Sequence, residues 1–228
     1  MNELNTYYAI IVAGGSGKRM DSAIPKQFIL LNNLPILMHT LKAFHQNKYQ
    51  PKIILVLAKA DEKLWQSLIQ QYNFTIPHEI VFGGVERFHS VKNALFHIKN
   101  SNSITAIHDG VRPLVSQQTI SNCFLKASEN GNAVAAVTSK DSVRVLSNKK
   151  STALLRSQVY LMQTPQTFIA SQLIEAYQQD FKSSFTDDAS VVENAGYEIN
   201  LQEGDEFNFK ITFKEDIVLA EAILNLRN

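Results

Sequence analysis

The sequence predicts an α/β fold in which helices cover both faces of an open, doubly wound sheet. Four short apolar runs lack the polar–apolar alternation of half-exposed strands, which predicts strands buried on both faces as in a parallel sheet. These runs are residues 7–13, 53–58, 104–107 and 133–137. Segments with apolar residues at helical spacing separate them. The resulting strand–helix–strand order extends to about residue 138.

Three helices are predicted within this alternating region. Residues 35–45 carry apolar side chains at helical spacing, residues 61–72 start with the N-cap type residue Asp61, and residues 87–98 repeat the pattern. After the alternating region, further helices are predicted at residues 171–179, 187–195 and 214–226. No linker is long enough to divide the chain, so we expect one domain over residues 1–228.

The alternation breaks between residues 139 and 163. Residues 141–146 and 153–159 look like two polar, exposed strands joined by residues 147–150. A two-stranded hairpin with little apolar surface is marginal alone. We therefore expect this segment to lean on something else, such as a second subunit.

Composition excludes several classes of protein. Hydrophobic residues make up 45% and charged residues 19% of the 228 positions, as in a globular protein. The formal net charge of +1 argues against a general nucleic-acid or membrane-surface binder. The single Cys123 excludes an intramolecular disulfide and a cysteine-based zinc site, and it fits a reducing cytoplasm. No apolar run approaches the roughly 18 residues of a membrane span, and the N-terminus does not resemble a signal peptide.

The strongest local signal is a glycine-rich turn directly after the first predicted strand. It reads Ala13-Gly14-Gly15-Ser16-Gly17-Lys18-Arg19-Met20. Closely spaced glycines let backbone N–H groups approach an anion, and ligands in open α/β sheets bind at the carboxyl ends of strands. The turn and the residues that follow it contain three basic residues, Lys18, Arg19 and Lys26, and one acidic residue, Asp21. This concentration of positive charge favours a polyphosphate ligand, although a glycine turn with solvated basic residues is the simpler alternative.

Two familiar phosphate-binding motifs do not match this turn. A Walker-type loop requires Ser or Thr after the lysine and glycine at position 12, where Arg19 and Val12 stand instead. The dinucleotide fingerprint requires glycine or alanine at position 20, where Met20 stands.

Three later clusters carry polar residues. In His108-Asp109-Gly110-Val111-Arg112-Pro113, an acid at the end of a buried strand suits a hard cation such as magnesium, with a helix cap near Ser116 as the structural alternative. We expect His108 to be structural. Thr186-Asp187-Asp188-Ala189-Ser190 could simply cap a helix, and Lys210 lies between apolar neighbours as on a half-buried strand.

Taken together, these segments resemble the 2-C-methyl-D-erythritol 4-phosphate cytidylyltransferase family of the non-mevalonate isoprenoid pathway. The resemblance is carried by the glycine turn and by four further segments in order: Pro25-Lys26-Gln27, Phe82-Gly83-Gly84-x-x-Arg87 with Ser90, the His108 to Pro113 cluster, and Gln163-Thr164-Pro165-Gln166. It ends with the Thr186 to Ser190 cluster and Lys210-Ile211-Thr212, and so covers about residues 8–224.

The resemblance implies a Rossmann-like sheet, a protruding β-arm at about residues 139–163 that forms a homodimer, and a magnesium-dependent, cytoplasmic enzyme. The reaction that the resemblance implies joins CTP to methylerythritol phosphate and releases pyrophosphate. The implied CTP-binding residues are Ala13, Gly14, Gly15, Gly17, Lys18, Gly84, Ser90, Asp109 and Gly110, with Asp109 also holding the metal. The implied catalytic residues are Arg19, Lys26, Arg156 and Lys210. The implied acceptor-binding residues are Arg112, Ser142, Arg156, Thr164, Thr186 and Lys210.

Some family members carry an acid where this chain has Val85 and a threonine where it has Ser142. Two other functions remain open on the residues alone: a ribitol 5-phosphate cytidylyltransferase, and a non-catalytic CTP-binding regulatory module on the same fold.

Overall fold

A computed structural model describes residues 6–15 and 24–227. Its strands are β1 (Tyr7–Ala13), β2 (Leu30–Leu31), β3 (Leu34–Pro35), β4 (Lys52–Leu57), β5 (Glu79–Phe82), β6 (Ile104–Asp109), β7 (Asn132–Thr138), β8 (Arg144–Ser147), β9 (Lys150–Ala153), β10 (Tyr160–Ile169) and β11 (Leu201–Glu203). Its α-helices are α1 (Ile36–His45), α2 (Glu62–Gln71), α3 (Arg87–Leu95), α4 (Gln117–Asn130), α5 (Ala170–Ala176), α6 (Asp188–Asn194) and α7 (Lys214–Arg227).

Seven of these strands form the main sheet, in the order β11-β7-β10-β6-β1-β4-β5. Neighbours pair in parallel except for β10, which runs antiparallel to both β6 and β7. The sheet is therefore mostly parallel, as predicted.

Helices cover both faces of the sheet. On β1, Ala9 and Ile11 pack towards α1, α2 and α4, while Tyr8 and Ile10 pack towards α3, α5 and α6. Both sets of side chains are buried, which explains why this strand shows no polar–apolar alternation. The predicted α/β fold with a doubly wound sheet is confirmed.

Three sheet strands were absent from the sequence prediction. Strand β10 fills part of the region predicted as the end of the hairpin, and β5 and β11 are only four and three residues long. Short strands with few apolar residues give weak patterns, and β10 contains Pro165 and several polar residues that are buried between β6 and β7.

The hairpin of the arm is present, with a correction to its second strand. Strands β8 and β9 pair directly, with Ser147 opposite Lys150. The predicted strand at 153–159 is wrong: residues Arg156–Gln158 form a 3-10 turn instead. Asn148 and Lys149 both have positive φ angles (48° and 65°), as a two-residue hairpin turn requires, so the turn is tighter than predicted.

No helix in the described ranges is long and apolar enough to cross a membrane.

Candidate active site

A cleft of about 160 Å³ opens where β1, β5 and β6 end. The strand ends coincide because Val12 lies opposite Asp109, and Ala13 lies opposite Leu57, which in turn faces Phe82. The described residues that line the cleft are Val12, Ala13, Gly14, Gly15, Lys26, Gln27, Gly84, Val85, Glu86, Arg87, Ser90, Asp109, Val111 and Lys210. Eight of the predicted site residues are therefore close together: Ala13, Gly14, Gly15, Lys26, Gly84, Ser90, Asp109 and Lys210.

Asp109 is the charged centre of the cleft. Its side chain is only 10% exposed, and Oδ2 accepts a hydrogen bond from Arg112 Nε at 3.1 Å and forms an ion pair with Lys210 Nζ, also at 3.1 Å. Oδ1 lies 3.8 Å from Arg87 Nε. Burial alone would raise the pKa of this carboxyl, but Arg87, Lys210 and Arg112 hold that pKa well below its usual range. Asp109 is therefore an anion near pH 7.

Lys26 reaches the cleft from a short 3-10 turn, Lys26–Phe28, that starts at Pro25. The buried Gln27 fixes this turn, because its side-chain amide donates to Ala13 O (2.9 Å) and to Asp61 Oδ2 (3.1 Å). Lys26 Nζ lies 3.4 Å from Ile211 O, beside Lys210. Two lysines 184 positions apart are thus brought to the same wall of the cleft.

The segment that carries Lys210 is tied to the loop after β6. Ile211 N donates to Val111 O (2.9 Å), and Arg112 Nη1 donates to Asn208 O (2.8 Å). Asn208 is fully buried and donates to Thr164 O (2.7 Å). These bonds hold Lys210 against Asp109 although no regular strand or helix contains it.

Two glycines of the site have little room for a side chain: Gly84, which approaches helix α3, and Gly110, which packs against β1 and α1. A Cβ on Gly84 would lie 2.4 Å from the Cβ of His89, and one on Gly110 would lie 3.0 Å from side-chain atoms of Ala13 and Leu37. Ser90 accepts a hydrogen bond from Gly84 N (3.1 Å), which fixes the backbone of the turn. Gly84 is exposed at the cleft, whereas Gly110 is buried beneath it.

His108 and Thr164 form a buried support under Asp109. His108 Nε2 lies 3.1 Å from Arg112 O, and Nδ1 lies 3.0 Å from Thr164 Oγ1, which accepts the Asp109 backbone N–H (3.1 Å). Burial lowers the pKa of His108 from 6.5 to about 4, so the ring is neutral near pH 7. With Nε2–H donating to Arg112 O, Nδ1 accepts the Thr164 hydroxyl proton. The geometry gives His108 a structural role, as expected, and Thr164 lies below the cleft.

The remaining predicted residues lie elsewhere or cannot be placed. Ser142 and Arg156 are exposed on the arm and do not belong to the described lining of the cleft. On the arm, Arg156 donates a hydrogen bond to Lys140 O (2.9 Å). Thr186 is exposed just before α6. Gly17, Lys18 and Arg19 lie outside the described residues.

Two cleft residues were quoted for the family resemblance but given no role in the site: Arg87 and Gln27. Arg87 contacts Asp109 and also the buried Asp188, which is remote in sequence, so the spacing of the motif could not indicate its partners. Gln27 acts through a backbone carbonyl of β1, which a sequence pattern does not show.

The donor set of the cleft fits a hard cation shared with a phosphate ligand. Within residues 6–15 and 24–227 no group of three or more His, Cys, Asp or Glu side chains could enclose a metal. Magnesium, however, commonly binds through one or two carboxylates and the phosphates of its substrate. Asp109 supplies a carboxylate that is ionised near pH 7, and its Oδ1 has, among described residues, only the long contact with Arg87.

A larger cleft of about 700 Å³ lies at the opposite, amino-terminal ends of β1, β4 and β5. Its lining includes Tyr8, Lys52, His78 and Glu79. His78 has both ring nitrogens engaged, with Trp65 Nε1 and Ile76 O. Ligands of open α/β sheets bind at the carboxyl ends of strands, so the smaller cleft is the candidate active site.

Comparison with known proteins places the chain in a family. The family model for 2-C-methyl-D-erythritol 4-phosphate cytidylyltransferase matches residues 7–226. A protein of that name from Azobacteroides pseudotrichonymphae is 46% identical over 219 residues, covering 96% of this chain and 98% of the relative. Its counterpart from Bacteroides fragilis is 45% identical over 216 residues, covering 95% and 98%.

Solved structures agree with this assignment. The 4-diphosphocytidyl-2C-methyl-D-erythritol synthase of Anaerococcus prevotii superposes with a TM-score of 0.83 at 27% identity, covering 98% of this chain and 97% of that one. The 2-C-methyl-D-erythritol 4-phosphate cytidylyltransferase of Francisella tularensis superposes with a TM-score of 0.78 at 30% identity, covering 96% and 99%. The sequence resemblance is thereby confirmed. This chain belongs to the 2-C-methyl-D-erythritol 4-phosphate cytidylyltransferase family and is a nucleotidyltransferase of the non-mevalonate isoprenoid pathway.

Proposed function

We propose that the cleft around Asp109 is where this chain joins CTP to 2-C-methyl-D-erythritol 4-phosphate. The observation that carries the proposal is the convergence of Lys26, Arg87, Arg112 and Lys210 around one buried carboxylate beside a glycine turn. The chain as a whole has a net charge of only +1, so this positive charge is a local feature of the cleft. Such a feature suits a substrate that carries several phosphates.

The reaction requires one phosphate to attack another. An oxygen of the acceptor phosphate forms a bond to the α-phosphorus of CTP, and the bond from that phosphorus to the bridging oxygen of the β-phosphate breaks. The electron pair of this bond leaves with pyrophosphate. A phosphate monoester has a second pKa near 6, so the acceptor is largely a dianion at pH 7 and needs no general base. The neutral, buried His108 and the ionised Asp109 are consistent with this requirement.

The remaining barrier is electrostatic, because two anions must meet and negative charge grows on the α-phosphoryl and pyrophosphate oxygens. Lys26 and Lys210 are held in place by contacts with backbone or with Asp109, so little reorganisation is needed when this charge develops. We propose that Arg19, Lys26, Arg156 and Lys210 stabilise it. Removing one such group should lower turnover by about 10²–10³, as losing one oxyanion-hole donor does.

The nucleotide is proposed to lie between the two glycine turns. Gly14 and Gly15, with Gly17 and Lys18, would face the phosphates through backbone N–H groups and the lysine ammonium. Gly84 and Ser90 would face the base and ribose, with the Asp109-Gly110 backbone beneath them. Ser90 supports this role indirectly in the free protein, because it fixes Gly84 N.

A divalent cation is the proposed cofactor, held by Asp109 and the nucleotide phosphates. When bound, magnesium neutralises phosphate charge and orients the triphosphate for in-line attack. The low pKa of Asp109 means that the cation competes with no proton at this carboxylate.

The acceptor is proposed to bind through Arg112, Ser142, Arg156, Thr186 and Lys210. The buried Thr164 would support this part of the site from below, through its hydrogen bond with Asp109 N. Ser142 and Arg156 are exposed on the arm, whose surface also presents Leu146, Leu155 and Leu161 at 73%, 65% and 53% exposure. Apolar side chains on a two-stranded hairpin need a partner surface. We propose that the arm, residues 139–163 of a single domain, packs on a second copy in a cytoplasmic homodimer.

Pyrophosphate release tests the proposed function. The chain is assayed with CTP and Mg²⁺ and with either 2-C-methyl-D-erythritol 4-phosphate or ribitol 5-phosphate. Release with the first acceptor is expected, whereas release only with the second, or tight CTP binding without release, would overturn the proposal. Lys210→Ala should lose most activity, and Lys214→Ala, at an exposed position four residues later, is the matched control.

A further inference from the structure

A buried carboxylate next to the active site has no role in the reaction as described. Asp188 is the first residue of α6 and is 0% exposed. Its oxygens accept two parallel hydrogen bonds from Arg87, from Nη1 at 2.8 Å and from Nη2 at 2.7 Å. Oδ1 also accepts the hydroxyl proton of Tyr177, at 2.6 Å. Burial, together with Asp188, holds the pKa of Tyr177 well above 10.0, so this phenol remains a donor.

Arg87 connects this buried group to the cleft. Both terminal nitrogens of its guanidinium point to Asp188, and the third nitrogen, Nε, lies 3.8 Å from Asp109 Oδ1. The side chain is 30% exposed and forms part of the cleft wall. Arg87 therefore lies between two anions, the buried Asp188 and Asp109 in the cleft.

The two oxygens of Asp109 differ as a result. Oδ2 accepts a hydrogen bond from Arg112 and forms an ion pair with Lys210. Oδ1 has, among described residues, only Arg87 Nε, which is beyond hydrogen-bond distance. An arginine without a second carboxylate would normally form two parallel hydrogen bonds with the one that remains. The two hydrogen bonds with Asp188 hold the guanidinium in an orientation in which Nε stays 3.8 Å from Oδ1, so Arg87 does not form such a pair with Asp109.

We infer that Asp188 makes Arg87 a positioning residue, which orients the Asp109 carboxylate and leaves its Oδ1 able to accept a ligand from the cleft. The inference rests on the proposed function, in which Asp109 holds a divalent cation together with the nucleotide phosphates. If the Arg87–Asp188 ion pair were purely structural, Arg87 would only have to neutralise the charge of Asp188. The direction in which Arg87 Nε points would then not matter.

Asp188→Asn tests the inference, because it keeps the shape of the side chain and removes its charge. Arg87 is then expected to turn to Asp109 and to occupy Oδ1. We expect Mn²⁺ binding in the presence of CTP, measured by electron paramagnetic resonance, to weaken at least 10-fold. We expect kcat with CTP and 2-C-methyl-D-erythritol 4-phosphate to fall at least 30-fold, while KM for the acceptor changes less than threefold.

Tyr177→Phe is the matched control. It removes one hydrogen bond from the same buried carboxylate but leaves the Arg87–Asp188 pair intact. Both variants should show a lower melting temperature, yet Tyr177→Phe should keep kcat and Mn²⁺ affinity within threefold of the wild type. Equal losses in the two variants, or wild-type values in Asp188→Asn, would overturn the inference.

Two further outcomes have defined meanings. If Asp188→Asn does not fold, Arg87→Lys is measured in its place, since a lysine cannot contact both carboxylates. Wild-type kcat and wild-type Mn²⁺ affinity in Arg87→Lys would overturn the inference. An inactive wild-type protein would instead contradict the proposed function. Mn²⁺ binding separates the two, because it is measured without turnover.

Discussion

Acid should destabilise this protein through the buried imidazole of His108. The ring is 0% exposed, packs 4.9 Å from the Phe44 ring centroid and is hydrogen-bonded on both nitrogens in its neutral form. A proton on Nδ1 would face the Thr164 hydroxyl, which would have to turn its own proton away and would lose Nδ1 as the acceptor of that proton. The perturbation is a fall in pH from 7 to 4, compared between the wild type and His108→Gln.

The size of the effect follows from the two pKa values. Burial lowers the pKa of His108 from 6.5 in the unfolded chain to about 4 in the fold. The unfolded state therefore binds more protons between these values, and stability falls as the pH falls. The stabilisation is complete above pH 6.5. The loss is about 2 kcal/mol at pH 5 and about 3 kcal/mol at pH 4, since each pKa unit corresponds to about 1.4 kcal/mol.

Urea unfolding at several pH values, followed by circular dichroism, measures this difference. The wild type should be more stable than His108→Gln at pH 7, and the gap should narrow by about 3 kcal/mol at pH 4. The half-buried histidines whose pKa values are also lowered by burial, His39 and His78, contribute equally to both proteins. His45→Gln, at an exposed position, controls for loss of an imidazole as such. Parallel stability curves for wild type and His108→Gln would refute the reasoning.

Three other predictions concern the site, the arm and the core. Lys26→Ala and Arg19→Ala should fold normally and lose about 10²–10³ in turnover, measured by steady-state kinetics, but much less in CTP affinity, measured by calorimetry. Lys63→Ala, on the exposed face of α2, is the control. Near-normal turnover in both Lys26→Ala and Arg19→Ala would show that the assigned roles are wrong. Deleting residues 141–158 should convert dimers to monomers in light scattering, and an unchanged dimer would exclude the arm as the interface. Cys123 is fully buried with a pKa raised by burial to about 12, so it should react with a thiol reagent only in denaturant; rapid reaction in the native protein would contradict its packing.

Sequence patterns predicted the parts of the fold that depend on local periodicity. Strand β1 and helix α1 were predicted within one residue of their observed limits, because buried apolar runs and helical spacing are local signals. Strand β10 was missed, since its polar residues are satisfied by partners that the sequence does not place nearby. Gln166, for example, donates to Asp187 and accepts from Ala189 N.

The same limit applies to the site. Glycine turns and basic residues indicated a phosphate cleft because their chemistry is local to each motif. The pairing of Arg87 with Asp188, 101 positions later, was not predictable from spacing. Neither was the buried position of Thr164, whose hydroxyl and carbonyl are both engaged by protein groups. The family resemblance supplied the residue types of the site, and only the fold supplied their partners.

The tie between the Lys210 segment and the loop after β6 has a consequence for synthesis in the cell. A ribosome makes the chain from its N-terminus, and the early strands can begin to pair before residues 208–211 emerge. Until then Asp109 lacks Lys210, and Arg112 lacks the carbonyl of Asn208 that holds it. A growing chain can thus contain most of its sheet and still carry no competent catalytic centre, because the segment around Lys210 is made late.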